Sequence, residues 1–288
     1  MNKIMDRIIS KLEIYDLKTA SHRIIKKFPY LIEAPNWSPD GKWLIFNSNG
    51  KLYRIATDGT SEAEAIESGI AIRCNNDHVI SSDGKFIAVS HHTQEDGLSR
   101  IYVLPFEGGE ARCVTPDGPS YLHGWSPDMK SMAYCAFRGD AHVVHTMELE
   151  EGIEKAHTRA EEGLSDGPEY SPDGKHIWFN WVKTGLMQIW RMRADGSEQT
   201  QMTFDENLNS WFPHVSPDGK WVVFIAYHKG DLKPDEHLPN KNVTLRIMPT
   251  EGGVPQTIVE LFGGQGTINV NSWAPDSQQF AYVSYELK

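Results

Sequence analysis

One segment recurs six times along this chain, and no other feature constrains its fold as tightly. Each copy is an aromatic or apolar residue, a Ser-Pro-Asp-Gly-Lys turn or a close variant, and a short apolar run. The copies are WSPDGKWLIF from Trp37, ISSDGKFIAV from Ile80, WSPDMKSMAY from Trp125, YSPDGKHIWF from Tyr170, VSPDGKWVVF from Val215 and WAPDSQQFAY from Trp273. Their aspartates, Asp40, Asp83, Asp128, Asp173, Asp218 and Asp276, are spaced by 43, 45, 45, 45 and 58 residues. That is the period of a β-propeller blade.

The turn's chemistry explains its residues. Proline presets φ, the Ser and Asp oxygens bond nearby backbone N–H groups, and glycine accepts a positive φ. The turn should therefore join strand A to strand B. The apolar runs are too short for a typical helix and too uniformly apolar for a sheet with one wet face, as befits a blade sandwiched between neighbours. A second motif marks strand C in LYRIATDGT, IYVLPFEGG, VHTMELEEG, IWRMRADGS and LRIMPTEGG. The sixth lies at the other end of the chain, LEIYDLKTA from Leu12, while the last repeat stops at Tyr285 just after strand B. The N-terminal strands are thus expected to complete the blade begun by residues 272 to 285. The result is an all-β, six-bladed antiparallel propeller over residues 1–288, one domain without open sheet edges.

Composition excludes several classes. No stretch approaches the roughly 18 consecutive apolar residues of a membrane span. Residues 1–10 mix Lys3, Asp6 and Arg7 with single apolar residues rather than the apolar run of a secretory signal, the basis for expecting a cytoplasmic location. Cys74, Cys113 and Cys135 are scattered and form no Cys-x-x-Cys pair, which suits reduced structural thiols. A net charge of −11 repels polyanions, so neither nucleic acid nor an anionic membrane is an expected partner.

The Pro-Asp-Gly repeats resemble those of the TolB-like propellers, over essentially the whole chain. Such propellers also stand beside the peptidase domain of dipeptidyl peptidases. TolB itself is periplasmic and carries an extra N-terminal domain, neither of which is expected here. A hydrolase domain with its Gly-x-Ser-x-Gly nucleophile elbow is likewise expected to be lacking. The resemblance implies the fold, and not envelope translocation or peptide cleavage.

The tight turns should lie on one face, leaving the D-to-A and B-to-C connections to form a functional rim around the channel. Two residues before each turn's serine position stand Asn36, Val79, Gly124, Glu169, His214 and Ser272, and one step earlier Pro35, His78, His123, Pro168, Pro213 and Asn271. His78, His123, Glu169 and His214 are therefore candidate ligands for manganese, zinc or iron, with His91 or His92 extending the set. The alternative is that these side chains hydrogen-bond loops and water in a polar funnel. Because neighbouring residues of a strand point oppositely, at most one of His91 and His92 should face the funnel. The insertion HKGDLKPDEHLPNKN, with His228 and His237, is either a lid or a disordered polar loop.

Tyr121, Asp166, Trp181, Asn209 and Trp211 place aromatic faces beside polar groups, which suits sugar rings and hydroxyls, although each tryptophan alone also suits the core. The run LFGGQGTIN, 261–269, precedes a strand and lacks a Gly-Lys-Ser/Thr ending, so it is not a phosphate cradle. Its glycines should let the backbone pass close to the funnel, leaving Gln265, Thr267 and Asn269 as candidate contacts. The default function is a binding protein for a small polar ligand, a saccharide foremost, or for a protein partner at the rim. The alternative is a metal-dependent carbohydrate-active enzyme similar to the oligogalacturonate lyases, which are propellers holding manganese in a histidine-rich funnel. Lys183 or Arg138 would then be base or carboxylate clamp. A purely structural scaffold is the third possibility, and the polar rim argues against it.

Overall fold

The computed structural model describes residues 8–288. The reading of residues 1–7 as part of no secretory signal lies outside the described residues. Local chemistry builds the same turn in the first five repeats, while the sixth, with Ala274 in the serine's place, keeps only the bond from the Gln278 N–H to Asp276 Oδ1 (2.9 Å). Ser38 Oγ donates to Asp40 Oδ1 (2.6 Å), which also accepts the Lys42 N–H (3.1 Å), and the Trp43 N–H donates back to Ser38 Oγ (2.9 Å). Ser81, Ser126, Ser171 and Ser216 repeat this triplet. The residue after the aspartate is left-handed whether it is Gly41 (φ 76°) or Met129 (φ 59°). The side-chain bonds, not glycine alone, therefore dictate the turn.

In five blades the turn joins an innermost strand to the second strand of a four-stranded antiparallel sheet, and the sixth sheet has three strands. The innermost strands of blades 1 to 5 are Glu33–Trp37, Cys74–Ile80, Ser120–Trp125, Ser165–Tyr170 and Leu208–Val215. Blade 6 is built from both ends of the chain. Gln279–Leu287 pairs with Ile8–Asp16, from Ile8 opposite Leu287 to Asp16 opposite Gln279 without a break, and Ile8–Asp16 pairs with Ser21–Phe28. The innermost place in this blade falls to the segment around Trp273, which bridges to Phe280. The ring closes as the strand motifs require.

Between blades the apolar runs pack into a core that buries Trp178, Trp181, Trp211, Tyr134 and Tyr227. Tryptophans also tie one blade to the next: Trp125 Nε1 donates to the Val79 carbonyl (3.1 Å) and Trp273 Nε1 to that of His214 (3.0 Å). In blades 1 to 5 the innermost strand slips register just before the turn, between Glu33 and Asn36, Cys74 and His78, Leu122 and Gly124, Asp166 and Glu169, and Trp211 and His214. A bulge of this kind re-aims the side chains beside it. Positions equidistant from the turn consequently do not face the same way in every blade.

Candidate functional site

On the face opposite the repeated turns, the channel widens into a cavity of about 300 Å³. Asp166 reaches it from the innermost strand of blade 4, just before that strand's bulge. Gly167 is left-handed there (φ 63°), and a Cβ would lie 2.6 Å from Asn180 Oδ1 and 3.0 Å from the Phe212 ring, so no side chain fits. From blade 3, His123 Nε2 comes within 3.1 Å of Asp166 Oδ1, its ring stacked on Phe212 at 5.7 Å between centroids. His237 arrives from the long insertion, edge-on to Trp211 (4.4 Å) and Phe212 (5.3 Å), with Nε2 3.7 Å from Asp166 Oδ2. The insertion thereby brings His237 into the cavity lining. Gly264, left-handed beneath it, leaves room for the Leu238 carbonyl, which a Cβ would approach to 2.5 Å.

Burial alone would raise the pKa of Asp166, but the imidazoles of His123 and His237 hold its carboxyl well below the usual range. His123 feels the reverse balance: burial lowers its pKa, and Asp166 more than compensates, raising it. His237 stays below its ordinary value because burial dominates. A second carboxylate, Asp77, sits at the bulge of blade 2. It accepts Asn75 Nδ2 (2.6 Å) and Asn269 Nδ2 (2.5 Å), and burial raises its pKa. Three buried polar atoms of residues lining this cavity have no partner: His123 Nδ1, His237 Nδ1 and Asn269 Oδ1.

The cavity opens past Asn75, Tyr121 and Gln265 into a groove of about 620 Å³ that takes in Glu33, Asn47 and His92. Desolvation pushes the Glu33 carboxyl up to about 7. The turn-face mouth differs in character. It is a depression of about 360 Å³ ringed by the repeat prolines Pro39, Pro127, Pro172, Pro217 and Pro275.

Of the expected contacts, Tyr121, Asp166, Gln265 and Asn269 line the cavity. Trp211 stands behind it as a wall for His237. Trp181, Asn209 and Thr267 do not line it: Trp181 Nε1 donates to the Gly163 carbonyl (3.3 Å), Asn209 Oδ1 accepts the Met187 N–H (3.0 Å), and Thr267 Oγ1 accepts the Gly264 N–H (3.1 Å). Lys183 lies over the Trp181 ring and pairs with Glu162 at 2.6 Å. Arg138 bonds Glu154 (2.9 and 3.0 Å) and Ser120 Oγ (2.8 Å). Neither cation lines the cavity or the groove.

The four candidate metal ligands are not assembled into one set. Among the described residues, no group of three or more His, Cys, Asp and Glu is placed to hold an ion. The bulges explain the dispersal. Glu169 turns toward the next blade, accepting the Val215 N–H (2.9 Å) and Asn271 Nδ2 (2.7 Å), with His214 Nδ1 at 2.7 Å. Asn36, at the same place in the repeat, likewise accepts the Ile80 N–H (2.8 Å). His91 is buried, its Nδ1 accepting the Arg73 N–H (3.1 Å), and only His92 reaches the groove.

His78 is buried and its pKa is pushed down to about 3 by desolvation, from an ordinary value of 6.5. Because the unfolded chain takes up this proton first, the contribution is whole above about pH 6.5 and lost as pH falls toward 3. For one such group the slope is about 1.4 kcal/mol per pH unit. Between pH 7 and pH 5 the urea midpoint should therefore drop further for the wild type than for His78→Gln; parallel curves would refute this.

The letters of a nucleophile elbow do occur, as Gly163-Leu164-Ser165-Asp166-Gly167, contrary to expectation. They do not build one. Ser165 begins a blade strand, is fully buried, and bonds Thr158 Oγ1 at 2.5 Å, with no strand-to-helix turn. Sequence reasoning missed Asn75, Asp77, Cys135 and His142 as cavity residues. Asp77 adjoins His78 in sequence, and allowing for a bulge before the turn would have drawn attention to it.

A family profile described as the TolB beta propeller domain matches residues 6–165 and 122–238. An uncharacterized protein of Agrobacterium fabrum is 46% identical over 276 residues, covering 96% of this chain and 92% of its own length. A solved structure from Agrobacterium tumefaciens, described as a candidate TolB, superposes with a TM-score of 0.92 at 46% identity, covering 98% of this chain and 99% of that one. An oligogalacturonate lyase in complex with manganese shares the fold at 13% identity and a TM-score of 0.54, over 88% of this chain and 67% of its own.

Proposed function

The chain belongs to the TolB β-propeller family, and from that premise we propose that it is a binding protein whose channel cavity takes a small polar ligand, a saccharide unit. The observation that carries this reading is that three residues lining the cavity, His123, His237 and Asn269 from blades 3, 5 and 6, each hold a buried side-chain polar atom without a partner. A buried polar atom without a partner costs about 1–3 kcal/mol, which a hydroxyl-bearing ligand would recover. Tyr121 adds an aromatic side chain to the same wall. A volume of about 300 Å³ is at the lower end for small-molecule sites, which suits one sugar unit. The adjoining groove would take a second unit.

Metal-dependent elimination on a uronate has less support, because it needs a ligand set and a free cation near the substrate. Lys183 and Arg138 are held in ion pairs away from the cavity.

The test is a thermal-shift series with neutral and charged monosaccharides and disaccharides. Free ligand at 100 times its Kd should stabilise the chain by about 2.7 kcal/mol, and Asn269→Ala should lose the shift. No shift from any sugar at tens of millimolar would sink the proposal. Metal analysis of protein purified without chelator or nickel resin is the companion measurement. About one divalent ion per chain, lost from a His123→Ala, His214→Ala double variant, would restore the elimination reading.

A further inference from the structure

We infer that the ligand of this cavity is cationic: a small amine, which under the saccharide reading above is an amino sugar, with its ammonium group at Asp77 and Asn269. The inference rests on the distribution of charge and of unused hydrogen-bonding capacity. Cavity and groove together present three carboxyl groups, Asp77, Asp166 and Glu33, and no Lys or Arg lines either. Asp166 already has counter-groups in His123 at 3.1 Å and His237 at 3.7 Å. Asp77 has none as close, since its side chain is met by the amides of Asn75 and Asn269.

Asn269 sharpens the point. Its Nδ2 is committed to Asp77 Oδ1 at 2.5 Å and to the Asn76 carbonyl at 3.3 Å, which fixes the amide's orientation. The Oδ1 atom therefore points the other way as an acceptor without a donor, on a side chain only 1% exposed. An acceptor beside a carboxylate is matched by a group carrying several N–H bonds and a positive charge. A primary ammonium supplies three donors and no acceptor. His123 Nδ1, the other partnerless atom on this wall, would meet a neighbouring oxygen of the ligand. A uronate or a phosphate would instead face these carboxyl groups with no Lys or Arg in the lining to receive it, the His123 and His237 imidazoles being already engaged by Asp166.

Isothermal titration of the full chain with glucosamine, glucose, glucuronate and putrescine decides the matter. Glucosamine should bind at least about tenfold more tightly than glucose, and glucuronate should not bind, as expected when one opposed charge separates the ligands. Asp77→Asn should bring the glucosamine-to-glucose ratio toward one. The wild-type ratio carries the test even if that variant folds poorly. Equal binding of glucose and glucosamine, or preference for glucuronate, overturns the inference and leaves the saccharide reading standing. Binding of putrescine without any sugar keeps the cationic inference and overturns the saccharide reading. Binding of none of the four overturns both.

Discussion

Deletion of residues 1–26 is expected to leave a chain that no longer unfolds in a cooperative transition. The segment supplies the third strand of blade 6, Ile8–Asp16, which lies between Gln279–Leu287 and Ser21–Phe28. Ile8, Leu12 and Ile14 are essentially fully buried, and Tyr15 stacks on Phe280 at 5.4 Å. Glu13 is buried too, with Tyr282 Oη at 3.3 Å and the Ser284 hydroxyl bonded to it. At about 1.5–3 kcal/mol for each buried side chain, the four apolar residues contribute on the order of 6–12 kcal/mol. That rivals the whole stability of an ordinary domain, about 5–15 kcal/mol. The loss also leaves the outer edge of Gln279–Leu287 unpaired. Calorimetry or circular dichroism should show a broad, featureless melt, while Leu12→Ala, at a cost of about 2–5 kcal/mol, should still melt in one step. A truncated chain with the wild-type transition would refute the account of closure.

Glu169→Ala is expected to be the most damaging single substitution among the channel residues. Its carboxylate gathers the Val215 N–H, Asn271 Nδ2 and His214 Nδ1, so one side chain of blade 4 ties blades 5 and 6. Removing a buried charged partner that satisfies several donors costs about 3–5 kcal/mol. For a chain of this size the melting temperature should fall by roughly 10 °C. Glu169→Gln, which keeps an acceptor for the Val215 N–H, should lose less. A chelator added to the wild type should leave its melting temperature unchanged. If chelation and Glu169→Ala destabilised the protein alike, Glu169 would be a metal ligand after all, and the clasp between blades a secondary role.

The repeat unit was legible in the sequence because its determinants are local. Ser38, Asp40 and Lys42 lie within five residues, and their bonds form wherever the triplet occurs. Closure was legible for a different reason. Five strand-C motifs follow the turns, the sixth precedes them, and a blade lacking its outer strands must find them at the other end of the chain. The residues around the channel were legible only one at a time. Tyr121, His123, Asp166, Gln265 and Asn269 were each marked, yet nothing in the sequence joins His123 to Asp166, or Asn269 to Asp77 across 192 residues. Asp77 and His237 acquire their places through a bulge in blade 2 and the path of an insertion in blade 5.

Sequence alone determined the architecture of this protein, because turn chemistry and apolar periodicity act over a few residues and are repeated six times. Tertiary structure decided which polar groups meet. A one-residue bulge turns Glu169 toward the blade interface, and the strand before it sets Asp166 in the cavity, so facing depends on how each strand is accommodated by its neighbours. That accommodation is a property of the closed ring, where packing against two adjacent blades outweighs the alternation a single strand would follow by itself.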